Sequence, residues 1–391
     1  MQNKLKILEG MDVYLPDMDG VINCLHNYSL NSHNKAKWRV MVPKHGRKYV
    51  DNQPYEIVRC KSTYIPILGD YYGMPGIDVT FKKKIEEEDY DIIHLHSPFN
   101  MMKYGIKLAK KKHIPVVATF HSNMRPIYKS LFKFDFIVEP RMHRFAKLYN
   151  QLDEVFVCSP LVEQQIRSYG YTGKITYLPF GSDFEKCPDI ESYRKQGEEI
   201  FKIEKDELIF IYVGRLMKLK RIDFILEALK IVKDKGLKFR FYIVGKGSYQ
   251  KTLERLVSKL GLEKEVIFTG YVPREHFAYI YARADLLLFP SLYDNFGLVK
   301  VEGAAYYTPG LFIEGSCAGY EIENGVNGYL SQDNVEDFAK QILSAASDRN
   351  KLKEVGEKAA STLYMHWSTC SDILLKRLEE IVKEWKYEDK K

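Results

Sequence analysis

No run of uncharged residues in this 391-residue chain is long enough to cross a bilayer. The opening MQNKLKILEGMDVYLP also lacks the apolar core of a secretory signal. Both absences lead to the expectation of a cytoplasmic protein. The six cysteines (Cys24, Cys60, Cys158, Cys187, Cys317 and Cys370) are scattered, with no Cys-x-x-Cys spacing, and the histidines read as unclustered. That argues against a disulfide framework or structural zinc and fits a reducing compartment. Solenoid repeats and disordered tracts are lacking too. What is there is ordinary for a soluble protein, with 45% hydrophobic and 28% charged residues. The net charge of +7 is uneven: residues 1–190 hold 27 Lys and Arg against 21 Asp and Glu. Such mild basicity suits an anionic membrane surface or a phosphate-bearing ligand, or simply a solvated surface. Nothing in it points to nucleic acid as a partner.

A chain this long implies two domains. Short apolar strands alternate with helical stretches throughout. KLKILEGM, KWRVMVP, DIIHLHS, PVVATFH, EVFVCS and KITYLPF read as strands in the first half, and LIFIYVGR, KFRFYIVG, EVIFTGYV, DLLLFPS and GLFIEGS in the second. Strand–helix alternation of this kind means parallel sheets covered on both faces. The charged stretch 182–207 separates the two series. The division expected is an N-terminal Rossmann-like domain over 1–190, a second over 191–365, and a C-terminal helix over 366–391 packing back on the first. The fold class is α/β, two doubly wound domains facing across a cleft.

Four stretches carry chemistry. IYVGRLMKLKR leaves a strand through a Gly and presents Arg215, then Lys220 five residues later, cations suited to a diphosphate. Gly20, between a strand and a helix, lets backbone approach a ligand next to a helix N-terminus, and His121 follows a buried strand directly. SLYDNFGLVKVEGAAYY sets Asp294 before a helix and Glu302 about two turns within it. A buried carboxylate needs a partner. No third acid or histidine stands at ligand spacing, so a metal is not expected there, and the pair reads as a clamp on a polyhydroxylated ligand. IVGKGSYQ only superficially resembles a dinucleotide loop, having Gln250 where a third Gly would stand, which disfavours a nicotinamide enzyme.

Together these stretches resemble the retaining glycosyltransferases of the GT-B fold, family 4. LPDMDGV resembles the first glycine loop, ATFHS the histidine segment, LPFGSDF the Gly-x-Asp, VGRLMKLKR the diphosphate grip, FTGYVP the nucleobase strand end and PSLYDNFGLVKVEGA the paired acids. The resemblance implies that a nucleotide sugar, a UDP-sugar first, is the donor substrate and that neither cofactor nor metal is required. Gly20 would lie against the diphosphate that Arg215 and Lys220 neutralise. Glu302 would hold the ribose, and Asp294 with Asn295, Phe296 and Gly297 the sugar. His121 would sit near the sugar, and Val272 would meet the base through its backbone. Departures are Asp294 where Glu is usual, Asp19 before Gly20 where a second Gly is usual, Tyr307 in place of a small residue, and a single Gly319 near Glu321. The acceptor implied is a lipid or glycan hydroxyl. Residues 125–151 mix Lys129, Lys133, Arg141, Arg144 and Lys147 with Tyr128, Phe132, Phe134 and Phe136 and suit a peripheral site on the inner membrane face. They suit equally two packed helices lining an acceptor site, with Pro140 breaking any single helix. Competing readings are a non-catalytic nucleotide-sugar-binding subunit or sensor, and an epimerase or phosphorylase of the same fold.

Overall fold

Strands apolar along their whole length need cover on both faces, and parallel β–α crossovers supply it. The computed structural model describes residues 4–388 apart from 17–18, 47–48, 66–69 and 133. It divides into two units, one reaching Phe180 and resuming at Trp367, the other spanning Gly181–His366. In the first unit the chain runs through β1 (Lys6–Gly10), β2 (Lys37–Pro43) and β3 (Glu56–Cys60), then the antiparallel pair β4 (Ser62–Ile65) and β5 (Asp70–Gly73). It continues through β6 (Ile92–Leu95), β7 (Val116–Thr119), β8 (Glu154–Val157) and β9 (Ile175–Tyr177). Interspersed are α1 (Gly20–Ser32), α2 (Val79–Glu86), α3 (Asn100–Lys112), α4 (Met124–Leu131), α5 (Asp135–Tyr149) and α6 (Pro160–Ser168). The seven-stranded parallel sheet has the order β3-β2-β1-β6-β7-β8-β9.

The second unit begins with α7 (Ile190–Phe201) and alternates β10 (Ile209–Val213), α8 (Ile222–Asp234), β11 (Arg240–Val244), α9 (Gln250–Leu260), β12 (Val266–Gly270), α10 (Arg274–Arg283), β13 (Leu286–Phe289) and α11 (Val299–Ala305). It ends with β14 (Gly310–Ile313), β15 (Tyr329–Ser331), α12 (Val335–Ala346) and α13 (Arg349–Thr362). Its sheet is also parallel, in the order β12-β11-β10-β13-β14-β15. Strand order reverses between β1 and β6 in one sheet and between β10 and β13 in the other. Such switch points are where α/β folds bind ligands.

Each stretch read as a strand carries one. The strands absent from that reading, β3, β4, β5 and β15, are three to five residues long and interrupted by polar side chains. The charged stretch 182–207 is not a bare linker, since it contains α7, which packs on α10. Gly197 permits that crossing, because a Cβ there would lie 2.5 Å from the Tyr279 carbonyl oxygen. The chain returns to the first unit as α14 (Trp367–Glu388), which lies on α1. Trp367 is fully buried edge-on to Tyr28 at 5.2 Å, and Arg377 grips Glu154 of β8 at 2.7 and 3.0 Å. Pro140 does not divide the 125–151 region. The break falls between α4 and α5, and Pro140 sits inside α5, where it removes one N–H donor while the Arg141 guanidinium takes the Ile137 carbonyl at 2.8 Å. Lys133 lies outside the described residues.

Candidate active site

At the switch point of the second unit, β10 ends and the backbone turns at Gly214 with φ +148°. Gly245, after the neighbouring β11, has to be a glycine, because a Cβ would come within 2.0 Å of the Gly214 carbonyl. This tight turn exposes Arg215, whose side chain forms no ion pair among the described residues. Lys220, on a short 3-10 turn (Lys218–Lys220), is turned inward instead. Its ammonium forms an ion pair with Asp294 and lies 5.7 Å from the Phe289 ring centre and 5.5 Å from that of Tyr293. Two residues 74 positions apart, one assigned to a diphosphate and one to a sugar, are thus brought together, and in this state they hold each other. The second Asp294 oxygen, Oδ2, is buried with no hydrogen-bond partner among the described residues. An orphaned buried acceptor costs about 1–3 kcal/mol, which a ligand hydroxyl at that point would offset.

Asn295 and Phe296 are buried beside it, and Gly297 turns the chain into α11 with φ +72°. The Lys300 ammonium, itself buried, lies 4.6 Å from the Phe296 ring centre and 2.7 Å from Glu321. Glu302 is 8% exposed, and its Oε2 accepts the Tyr281 hydroxyl at 2.7 Å. Burial raises its carboxyl above the usual range, against the pull of Arg274, whose guanidinium is 3.7 Å from Oε1. Arg274 stacks on Phe184 at 3.9 Å and pairs with Asp183 of the Gly-x-Asp segment. Neither Arg274 nor Tyr281 was singled out in the sequence, although Arg274 stands only two residues beyond Val272. The Val272 side chain is buried in the core, so its backbone is what remains for a ligand.

In the first unit Gly20 is exposed and opens α1, while residues 17 and 18 of its loop lie outside the described residues. Asp19 caps the helix, its carboxylate accepting the Val21 and Ile22 N–H groups at 2.9 Å each. The departure at Asp19 therefore has a structural consequence: two N–H groups that an anion would use are already occupied.

The histidines are clustered after all, through the His94-Leu95-His96 pair on the end of β6. Alternation along a strand puts both on one face, opposite Glu9 of β1, which is in register with His94. Glu9 Oε1 meets His94 Nδ1 at 2.9 Å and His96 Nε2 at 3.2 Å, and Oε2 accepts the Ser29 hydroxyl at 2.8 Å. His94 Nε2 meets the Thr119 hydroxyl, and His96 Nδ1 meets His121 Nε2, both at 2.8 Å. Burial alone would raise the Glu9 carboxyl, but the bonds from His94 and His96 prevail and hold it at about 2. Burial and then His96 push His94 down to about 4 despite Glu9, and burial pushes His121 well below the imidazole range. Glu9, His94 and His96 also form the one group among the described residues whose ligand atoms lie close enough to hold a metal, within 4.8 Å of one another.

Two family models match the chain: Glycosyltransferase Family 4 over residues 34–186 and Glycosyl transferases group 1 over residues 194–362. The alpha-monoglucosyldiacylglycerol synthase of Acholeplasma laidlawii is 24% identical over 387 residues, covering 90% of this chain and 95% of that protein. The sulfoquinovosyl transferase of Arabidopsis thaliana is 26% identical over 69% of this chain and 52% of its own length. Anabaena HepE, solved in complex with UDP and glucose, superposes with a TM-score of 0.77 at 18% identity, over 96% of this chain and 99% of that one. Paired parallel sheets with charged groups at their switch points agree with both models. The chain belongs to the GT-B glycosyltransferases, with a family 4 region followed by a group 1 region.

Proposed function

We propose that the chain is a retaining hexosyltransferase that takes the sugar from a nucleotide diphosphate donor, UDP-linked first, and places it on a lipid hydroxyl of the diacylglycerol kind. The observation that carries the donor half is the Lys220–Asp294 pair at the β10–β13 switch point, with Oδ2 of Asp294 lacking a donor among the described residues and Arg215 exposed after the same strand. On binding, the diphosphate draws Lys220 and Arg215, and sugar hydroxyls take over the Asp294 carboxylate. Glu302, braced by Tyr281 and Arg274, accepts the ribose hydroxyls. The C1–O bond to the diphosphate then breaks as the acceptor oxygen bonds C1 on the same face. The acceptor proton passes to the departing diphosphate, whose charge the two cations stabilise. Because these cations meet the leaving charge, the reaction needs no metal.

Screening UDP, GDP and ADP for thermal stabilisation tests the donor. UDP at about 100 times its dissociation constant adds about 2.7 kcal/mol, or roughly 5 °C, with EDTA present or absent. No shift with UDP, or one seen only with a divalent ion, counts against this reading. Incubation with labelled UDP-glucose and diacylglycerol vesicles separates transfer from hydrolysis, isomerisation and mere binding. Glu302→Gln should raise the donor KM by roughly tenfold, the scale of about 1.4 kcal/mol lost from a charged hydrogen bond. A KM unchanged in that variant would remove Glu302 from the site.

The acceptor half rests on the first unit. A basic groove of about 550 Å³ is lined by Lys103, Arg141, Arg144 and Lys147 with Tyr128 and Phe145. Near it Phe134 is 60% and Phe136 75% exposed. Cations around exposed aromatics suit an anionic bilayer surface. No described helix is long and apolar enough to cross a membrane, so attachment would be peripheral. Replacing Phe134 and Phe136 by Ser should cut co-sedimentation with anionic vesicles by at least about tenfold, since each ring buries some 1.5–3 kcal/mol of apolar surface. Wild-type binding no stronger to anionic than to neutral vesicles would exclude the surface.

A further inference from the structure

A cavity of about 550 Å³ lies wholly within the second unit, at the end of its sheet opposite the β10–β13 switch point. Asp285 and Pro309, which line it, immediately precede β13 and β14. One wall is α7, with Arg194 and Lys195, and another is the start of α13, with Arg349 and Lys353. Six cations line the cavity against three acids, so it carries a positive excess that the donor reaction does not use. Two of those cations are committed to the fold. Arg283, 4% exposed, binds Glu198 at 3.1 Å and the carbonyls of Glu204, Lys205 and Glu207 at 3.0, 3.2 and 2.9 Å. It shares Asp285 with Arg349, which also takes the Asp206 and Glu207 carbonyls at 3.1 and 2.7 Å. Glu198 and Asp285 are thereby occupied. Lys353 is 3.9 Å from Glu191, and Arg194, Lys195 and Lys205 form no ion pair among the described residues. Arg194 is anchored through its Nε, which donates to the Ala282 carbonyl at 3.0 Å. Tyr307 completes the lining, with φ +59°, a left-handed conformation that a glycine adopts freely and a bulky side chain does not. Its carbonyl is packed so closely on α13 that a Cβ at Gly356 would come within 2.0 Å of it. An aromatic kept in a strained backbone position points to a use for the ring. We propose that this cavity binds a phosphorylated small molecule that carries a ring, its phosphates on Arg194, Lys195 and Lys205 and its ring against Tyr307. Several phosphate oxygens can meet three unpaired cations together, where a single carboxylate cannot, and the volume suits one molecule of nucleotide size.

The test is titration calorimetry of the full chain at fixed ionic strength, with ATP and inorganic triphosphate as probes. In the wild type ATP should bind, and at least about threefold more tightly than triphosphate, since a ring contact adds to the phosphate contacts. Lys195 and Lys205 are exposed, so reversing both, Lys195→Glu with Lys205→Glu, leaves the core untouched. That variant should weaken ATP binding by roughly tenfold or more while its thermal stabilisation by UDP stays as in the wild type. The ATP binding so lost belongs to this cavity, because the cations of the donor site are unchanged in that variant. Arg215→Ala with Lys220→Ala, the converse variant, should keep it. Tyr307→Gly should bring ATP down to the level of triphosphate. The basic groove of the first unit is the competing anion site, and ATP binding that survives the lysine reversals unchanged overturns the proposal. So does a wild type that binds no ATP, or binds it no more tightly than triphosphate. The lysine reversals and the ratio of the two probes decide the matter even if the Tyr307 variant does not fold.

Discussion

Lys220→Ala is expected to lower the rate of sugar transfer by about 100-fold or more, the usual scale for removing one group that stabilises charge developing in the transition state. Two effects combine in this variant. The leaving diphosphate loses a cation, and Asp294 loses its ion-pair partner while its other oxygen already has no hydrogen-bond partner among the described residues. The first acts on kcat and the second on the geometry of the sugar subsite, so both kcat and donor KM should worsen. Arg215→Ala, exposed and without an ion pair among the described residues, should depress kcat with little change in stability. Asp294→Asn separates the contributions: it keeps the shape and removes the charge that holds Lys220 in the resting state. Initial rates over a range of donor concentrations measure all three. If Lys220→Ala and Arg215→Ala both turned over at the wild-type rate, the donor site would have to be sought elsewhere.

Acid should weaken the first unit through His94 and Glu9. In the fold His94 is held at about 4, against an ordinary 6.5, so as pH falls below 6.5 the unfolded chain takes up a proton that the folded one refuses. Stability contributed by neutral His94 is complete above 6.5 and lost by about pH 4. Glu9, held at about 2 against 4.5, contributes above 4.5 and fails as pH falls towards 2. Asp12 works the other way: burial raises it to about 7, outweighing its bonds from Met101 and Ser97, so protonation of Asp12 favours the fold as pH drops. The bare pH curve therefore mixes opposing signs, and a difference measurement is required. The stability of the wild type relative to His94→Gln should shrink by about 2 kcal/mol between pH 7 and 4.5, read from urea midpoints. A difference constant over that range would mean that His94 titrates normally.

Much of this protein was legible before folding. Uninterrupted apolar strands such as IFIYV and LLLF can only be central strands of covered parallel sheets, which settles the architecture of both domains. Arg215, Lys220 and Asp294 could be named because each lies where a strand or turn gives way to a helix, a boundary with a local signature, and Glu302 because it is a carboxylate within an apolar helical stretch. Contacts between segments far apart in the chain were a different matter. That Lys220 binds Asp294 and that Arg274 and Tyr281 brace Glu302 depend on which side chains the fold brings together.

The histidine network shows the division most clearly. His94-Leu95-His96 stands in plain view as an alternating pair on a strand, yet nothing local says that Glu9, 85 residues earlier, faces it in register, or that His121 closes the chain at the next strand end. Local propensity and apolar periodicity act over a few residues, and so the sequence by itself determined the elements, their layering and the stretches where chemistry gathers. Burial and hydrogen bonding act between elements, at distances set by sheet register, and so only the tertiary structure decided which of those groups are paired and which are charged.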